Sequence, residues 1–179
     1  MSKELIFPQR KSIRLQSYDY AQQGAYFITI ITHNRKCLFG DLDHGEMLLS
    51  PIGIIVKNIW QSIPEHFSQA NVDYFVIMPN HIHGIIELVG ARHAVPLQHE
   101  AFGKPVPGSI PTIVRSFKSE VTRRVNLFRN TPGEKVWQRN YFEHVIRNET
   151  EFQAIYDYLI SNPYNWLNDV EYIASEDNN

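Results

Sequence analysis

Two histidines flank a single isoleucine in the run Met78-Pro79-Asn80-His81-Ile82-His83-Gly84-Ile85-Ile86-Glu87. The run is apolar and β-branched enough to read as a strand. Side chains i and i+2 of a strand point to the same face, so His81 and His83 project together, roughly 7 Å apart along the strand. Imidazoles can swing inward from that spacing to share one ion, while Ile82 points to the opposite face, toward a core. An isolated His-x-His is equally a pair of polar residues on a solvated face. Two ligands do not complete a metal site, and one or two more are needed.

The remaining chemistry-bearing residues are scattered. His33, His44, His66, His93 and His99 lie in or near turns and read as surface. His144 sits in a strand-like stretch around Trp137, Tyr141 and Val145. It either approaches the central sheet or is a bonded structural histidine. Near the C-terminus, Tyr158 and Asn162 are one helical turn apart and share a face. A helical tyrosine is usually core, and an amide at a helix end is commonly a stop signal.

The elements that must position these residues are legible. Gly24 to Thr32 reads as a buried strand. Leu38–Gly40 and Glu46–Leu49 flank a loop or hairpin. Ser50 caps a helix with Pro51 at its first position, and Ile52, Ile55, Val56, Ile59, Trp60 and Ile63 follow at helical spacing. Val72 to Met78 reads as a second central strand, Pro79-Asn80 as a turn and His81 to Val89 as a third strand, so that the last two form a hairpin. Residues 90–108, rich in proline and glycine, read as a flexible loop. Ser109 to Phe128 reads as a helix with Ile113, Phe117, Val121 and Val125 inward. Asn148 caps a last helix, Glu149 to Ser161, which Pro163 ends. This order predicts an α+β domain whose antiparallel sheet packs helices on one face.

The totals set the frame. A chain of 179 residues is most simply one domain, and the single cysteine, Cys37, excludes an internal disulfide. No signal-peptide core or membrane span is evident, so a cytoplasmic setting is the expectation. The net charge of −2 hides a strong asymmetry. Residues 1–36 carry net +4, 37–108 net −4, 109–147 net +5 and 148–179 net −7. The two basic segments, with Arg10, Lys11 and Arg14 in one and Arg115, Lys118, Arg123 and Arg124 in the other, could form one surface that meets phosphates. The bland alternative is a set of solvated faces.

Taken together, MPNHIHGIIE, VWQRNYFEHVIRNE and YDYLISNPYNW resemble the IS200-like tyrosine transposases, single-strand endonucleases of the HUH class. The closest likeness is to their REP-associated branch. It runs from about Lys11 to Trp166, with residues 167–179 left as an acidic tail. His-x-His alone is a weak signal. Its combination with the preceding Pro-Asn, a downstream Trp-Gln-x-x-x-x-x-His and a final Tyr-x-x-x-Asn-Pro is specific.

The resemblance implies a ferredoxin-like or RRM-like fold and a metal-dependent endonuclease and strand transferase. The family's metal-binding histidines fall on His81 and His83, its nucleophile on Tyr158 and its third ligand on Asn162. The implied ion is Mg²⁺ or Mn²⁺. The implied substrate is single-stranded or hairpin DNA of the repetitive extragenic palindrome type, cut to leave a 5′-phosphotyrosine. The implied state is a monomer. On that reading the basic residues hold backbone phosphates, and Tyr18, Tyr20, Tyr141 and Phe142 are candidates for stacking bases. Two rival expectations stand beside it. One is a DNA-binding protein of the same fold without turnover. The other is a zinc hydrolase built on His81, His83 and His144.

Overall fold

The computed structural model describes residues 18–90 and 106–172. The elements run β1 (Gly24–Ile31), β2 (Gly40–Asp43), β3 (Glu46–Leu49), α1 (Pro51–Gln61), α2 (Ile63–His66), β4 (Ala70–Asn71), β5 (Phe75–Met78), β6 (His81–Leu88), α3 (Ile110–Arg129), β7 (Phe142–Ile146) and α4 (Glu149–Ser161). A 3₁₀ helix, Asn162–Asn168, continues from α4. The expected loop over 90–108 and the tail after residue 172 fall largely outside the described residues.

The main sheet is antiparallel throughout. Strand β6 pairs β1 on one side and the broken strand β4–β5 on the other, and β1 also pairs β7. Counting β4–β5 as one strand, the order is second, third, first, fourth, with α1 and α3 as the crossovers. That is the βαββαβ arrangement of a ferredoxin-like fold. A separate hairpin, β2–β3, is inserted before α1.

Alternation along the strands divides the core in two. Tyr26, Ile28, Ile30, Ile77, Ile82 and Ile86 face α1 and α3, and the three layers form the larger apolar cluster. Phe27, Ile85 and Ile146 face the other way, onto Ile155 and Leu159 of α4. The expected layer of helices on one face is present, and α4 additionally covers part of the second face. The helix starts are those expected from the caps. The Ser50 hydroxyl accepts from Gly53 N–H at 3.1 Å, and the Asn148 amide oxygen accepts from Glu151 N–H at 2.9 Å.

One expectation needs correction. Val72–Met78 is not central: β5 covers only Phe75–Met78 and lies with β4 at the sheet edge. It reads as central because both its faces are covered, Phe75 and Ile77 by the larger cluster and Tyr74 and Val76 by the α4 side. Helix α4 ends at Ser161, as expected from Pro163, and a 3₁₀ helix follows it directly. Asn162 stays in right-handed helical geometry (φ −57°, ψ −43°), and the chain tightens into 3₁₀ turns to Asn168. That continuation carries residues 169–172 back toward the histidines.

Candidate metal and tyrosine site

Strand β6 places His81 and His83 opposite Ile31 and Thr29 of β1. Both imidazoles are buried on the face that α4 approaches, with ring centroids 4.3 Å apart. Each is held from behind through Nδ1. The His83 Nδ1 lies 2.8 Å from the Thr29 hydroxyl, and the Phe27 ring stacks on His83 at 5.4 Å.

His81 is held by Asn80, its neighbour in sequence. The Asn80 amide nitrogen donates to the backbone oxygens of Glu171 (2.7 Å) and Arg35 (3.3 Å). Its oxygen must therefore be the acceptor at 2.8 Å from His81 Nδ1. That bond puts the His81 proton on Nδ1 and leaves a bare lone pair on Nε2. Burial, reinforced by the charge of His83, pushes the His81 pKa well below its ordinary value, so the ring is neutral. Asn80→Ala is expected to release this tautomer and weaken divalent-metal binding by about 10–100-fold. Mn²⁺ titration of the variant, with circular dichroism to confirm folding, checks it.

Helix α4 and its 3₁₀ continuation supply the rest. The Tyr158 hydroxyl lies 3.1 Å from His83 Nε2, and Phe27 packs edge-on against the tyrosine ring at 6.1 Å. Asn162 is buried, its amide nitrogen donating to Asp169 Oδ2 at 3.0 Å. Asp169 Oδ2 is 4.0 Å from Nε2 of both His81 and His83. Burial opposes ionisation of Asp169, but the neighbouring His83 and His81 imidazoles and the Glu171 N–H, 2.7 Å from Oδ1, outweigh it. The carboxyl is held well below the usual carboxylate range. Burial, and then the charge of Asp169, raise the Tyr158 pKa well above its ordinary value, so the side chain is a neutral phenol.

Ligand atoms of His81, His83 and Asp169 all lie within 4.8 Å of one another, and this cluster can hold a metal ion. Two observations suit it to one. His81 Nε2 and Asn162 Oδ1 are both buried without a hydrogen-bond partner among the described residues. Such orphaned acceptors are costly unless something electropositive meets them. Two imidazole nitrogens, a carboxylate and an amide oxygen also form a donor set that divalent cations accept.

The sequence reading brought His81, His83, Tyr158 and Asn162 to one place, and they are together here. It missed Asp169, which was counted within the acidic tail. Asp169 and Glu171 instead fold onto the site, where Glu171 forms an ion pair with Arg35 at 2.7 Å. The only available signal was a carboxylate seven residues beyond Asn162. His144 is a correction to the zinc-hydrolase alternative. Its Nε2 bonds Glu151 Oε1 at 2.7 Å, outside the cluster.

The basic residues sort differently. Arg10, Lys11 and Arg14 lie outside the described residues. Arg115 is exposed on α3. The Lys118 ammonium donates to the backbone oxygens of Gln138, Arg139 and Asn140 at 2.7–3.4 Å, which ties α3 to the approach to β7. Arg123 and Arg124 both bond Glu120, and those bonds push its carboxyl down to about 2. A depressed carboxyl stabilises the fold above its unfolded pKa, so this contribution is complete above pH 4.5 and fades as pH falls toward 2. Because the group is exposed, the effect is small. Glu120→Gln is expected to flatten that acid limb while lowering the neutral-pH melting temperature by no more than about 3 °C. Thermal melts across pH measure both. Of the candidate base-stacking aromatics, Tyr20 is buried against Tyr26 and edge-on to Tyr18, and Phe142 packs edge-on against Phe27.

Comparisons with known proteins follow this geometry. An uncharacterized protein of Haemophilus influenzae is 45% identical over 170 residues, covering 92% of this chain and 93% of that one. The two proteins belong to one family. No protein-family profile matches the chain. In three dimensions the chain is similar to a REP-associated tyrosine transposase bound to a REP hairpin. The TM-score is 0.57 over 88% of this chain and 74% of that one, at 19% identity. The chain has the fold of that transposase, which is the fold the sequence resemblance implied. No helix among the described residues is long and apolar enough to cross a membrane.

Proposed function

We propose that this protein is a metal-dependent endonuclease and strand transferase acting on single-stranded or hairpin DNA through Tyr158. One observation carries the reading: a tyrosine hydroxyl 3.1 Å from an imidazole of a buried His-His-Asp cluster, all within one chain. The fold it shares with a hairpin-bound transposase supports the same reading.

The residues divide the work as follows. His81, His83 and Asp169 would hold the ion, with the Asn162 amide oxygen as a fourth donor; Mg²⁺ and Mn²⁺ are the candidates. Bound there, a divalent cation supplies Lewis-acid polarisation of the phosphodiester. Thr29 and Asn80 orient the imidazoles. Phe27 packs against the rings of both His83 and Tyr158 and keeps them in register. The Tyr158 oxygen attacks phosphorus, its O–P bond forms, and the bond from phosphorus to the 3′-oxygen breaks. This leaves a 5′-phosphotyrosine and a free 3′-hydroxyl. A neutral phenol must lose its proton during attack. That proton passes by way of solvent to the departing 3′-oxygen, which leaves as the hydroxyl. A phenolate leaves phosphorus more easily than an alkoxide. The adduct is therefore reversible, and a 3′-hydroxyl can rejoin the strand. Arg115 and the basic segment before residue 18 are offered as phosphate contacts, so binding should weaken with salt. One chain supplies every group named, consistent with action as a monomer.

The test incubates labelled hairpin oligonucleotides with the protein and Mg²⁺ or Mn²⁺ and resolves the products under denaturing conditions. A covalent protein–DNA band that requires metal, and that is lost in a His81→Ala/His83→Ala double variant, is the expected result. Hairpin binding with no adduct under any metal condition would leave a DNA-binding protein of the same fold without turnover.

A further inference from the structure

Tyr158 stands where a cation would have to stand. His83 has two ring nitrogens, and Nδ1 is already committed to the Thr29 hydroxyl at 2.8 Å. Nε2 is the nitrogen left for a cation, and it is bonded to the Tyr158 hydroxyl at 3.1 Å. Asp169 Oδ2 lies 4.0 Å from that same nitrogen. The phenol thus occupies the one His83 nitrogen that could face an ion. His81 Nε2, by contrast, has no hydrogen-bond partner among the described residues.

We propose that the Tyr158 hydroxyl and a divalent cation contend for this single seat, so that loading the metal displaces the tyrosine from His83. The inference rests on the metal reading above and adds a rule about order. A nitrogen lone pair serves one partner at a time. If Nε2 instead carries the proton and donates to the phenol, a cation must still break that bond and move the proton to Nδ1, with Thr29 turning to accept it. In either tautomer the phenol bond and the metal bond exclude each other. The nucleophile is therefore docked and hydrogen-bonded in the metal-free protein, and loading the site sets it loose beside the phosphate position.

Mn²⁺ binding to the DNA-free protein, followed by titration calorimetry or by loss of the free-ion electron-spin signal, tests this without using activity. Tyr158→Phe keeps the ring and deletes the competing hydroxyl. It is expected to bind Mn²⁺ roughly two- to tenfold more tightly than wild type, the loss of one modest hydrogen bond. Equal affinity overturns the contention. Weaker affinity also overturns it and shows the phenol to be a ligand. If neither protein binds Mn²⁺ at any attainable concentration, the metal reading itself fails, and the inference with it. If both bind with equal affinity and His81→Ala/His83→Ala does not, only the contention fails. A second measurement is independent of the variant's affinity. In protein labelled with 3-fluorotyrosine, Mg²⁺ should shift the one fluorine resonance that Tyr158→Phe lacks, and an unmoved resonance at saturation counts against displacement.

Discussion

Tyr158→Phe is expected to fold as wild type and to form no covalent adduct with any hairpin or single-stranded DNA. The loss should be at least about 10³-fold, the scale seen when a nucleophile is removed from a working site. The phenol oxygen is the one nucleophile that α4 brings against the histidine pair. The ring that remains still packs edge-on against Phe27 and beside His83, so the core keeps its shape. Hairpin affinity should change little, because Tyr158 is not among the proposed phosphate contacts. Denaturing gels with labelled DNA measure the adduct, and a filter-binding or mobility assay on the same samples measures affinity. A variant that still forms the adduct moves the nucleophile to another residue.

Gly84→Ala is expected to cost about 1–3 kcal/mol of folding stability, with Gly84→Val costing more. Gly84 follows the second histidine directly, so its α-carbon faces the opposite layer, beneath α1. A β-carbon there would collide with Trp60 Cζ2 and sit 3.2 Å from Phe75 Cβ. The indole has no room to give. It is fully buried, its Nε1–H donates to Val72 O at 3.2 Å, and Phe117 meets it edge-on at 5.2 Å. Urea unfolding followed by far-ultraviolet circular dichroism should show a lower midpoint at unchanged slope. An unchanged midpoint would mean that Trp60 finds another resting place. The glycine of the His-Ile-His-Gly run is thus required by packing, whereas the proposed function gives the histidines beside it a chemical role.

That contrast explains which parts of the molecule could be read from the chain. Period-two alternation put His81 and His83 together and Ile82 opposite them, because a strand allows nothing else. Helical spacing put Tyr158 and Asn162 on one face for the same kind of reason. The Ser50 and Asn148 caps were readable because they act within one turn of the backbone. Contacts fixed by folding at a distance were not readable. Asp169 is one acid among several in a segment without periodicity, and its role depends on the 3₁₀ turns after Pro163. Thr29 orients His83 only because β1 and β6 pair in the register that sets them side by side. Asn80 was legible as turn chemistry, yet its amide also joins residue 35 to residue 171. The basic stripe of α3 was visible as charge, but the sequence could not show that Glu120 and three backbone oxygens already engage most of it.

The meeting of Tyr158 and His83 within a single chain has a genetic consequence. Where two chains exchange a catalytic helix, a population lacking the tyrosine and another lacking the histidines can rescue each other by mixing. Here neither partner has a vacancy that the other's helix is shaped to fill. Two crippled alleles of this kind should fail to complement, and activity should track the number of intact molecules, in simple proportion to dose.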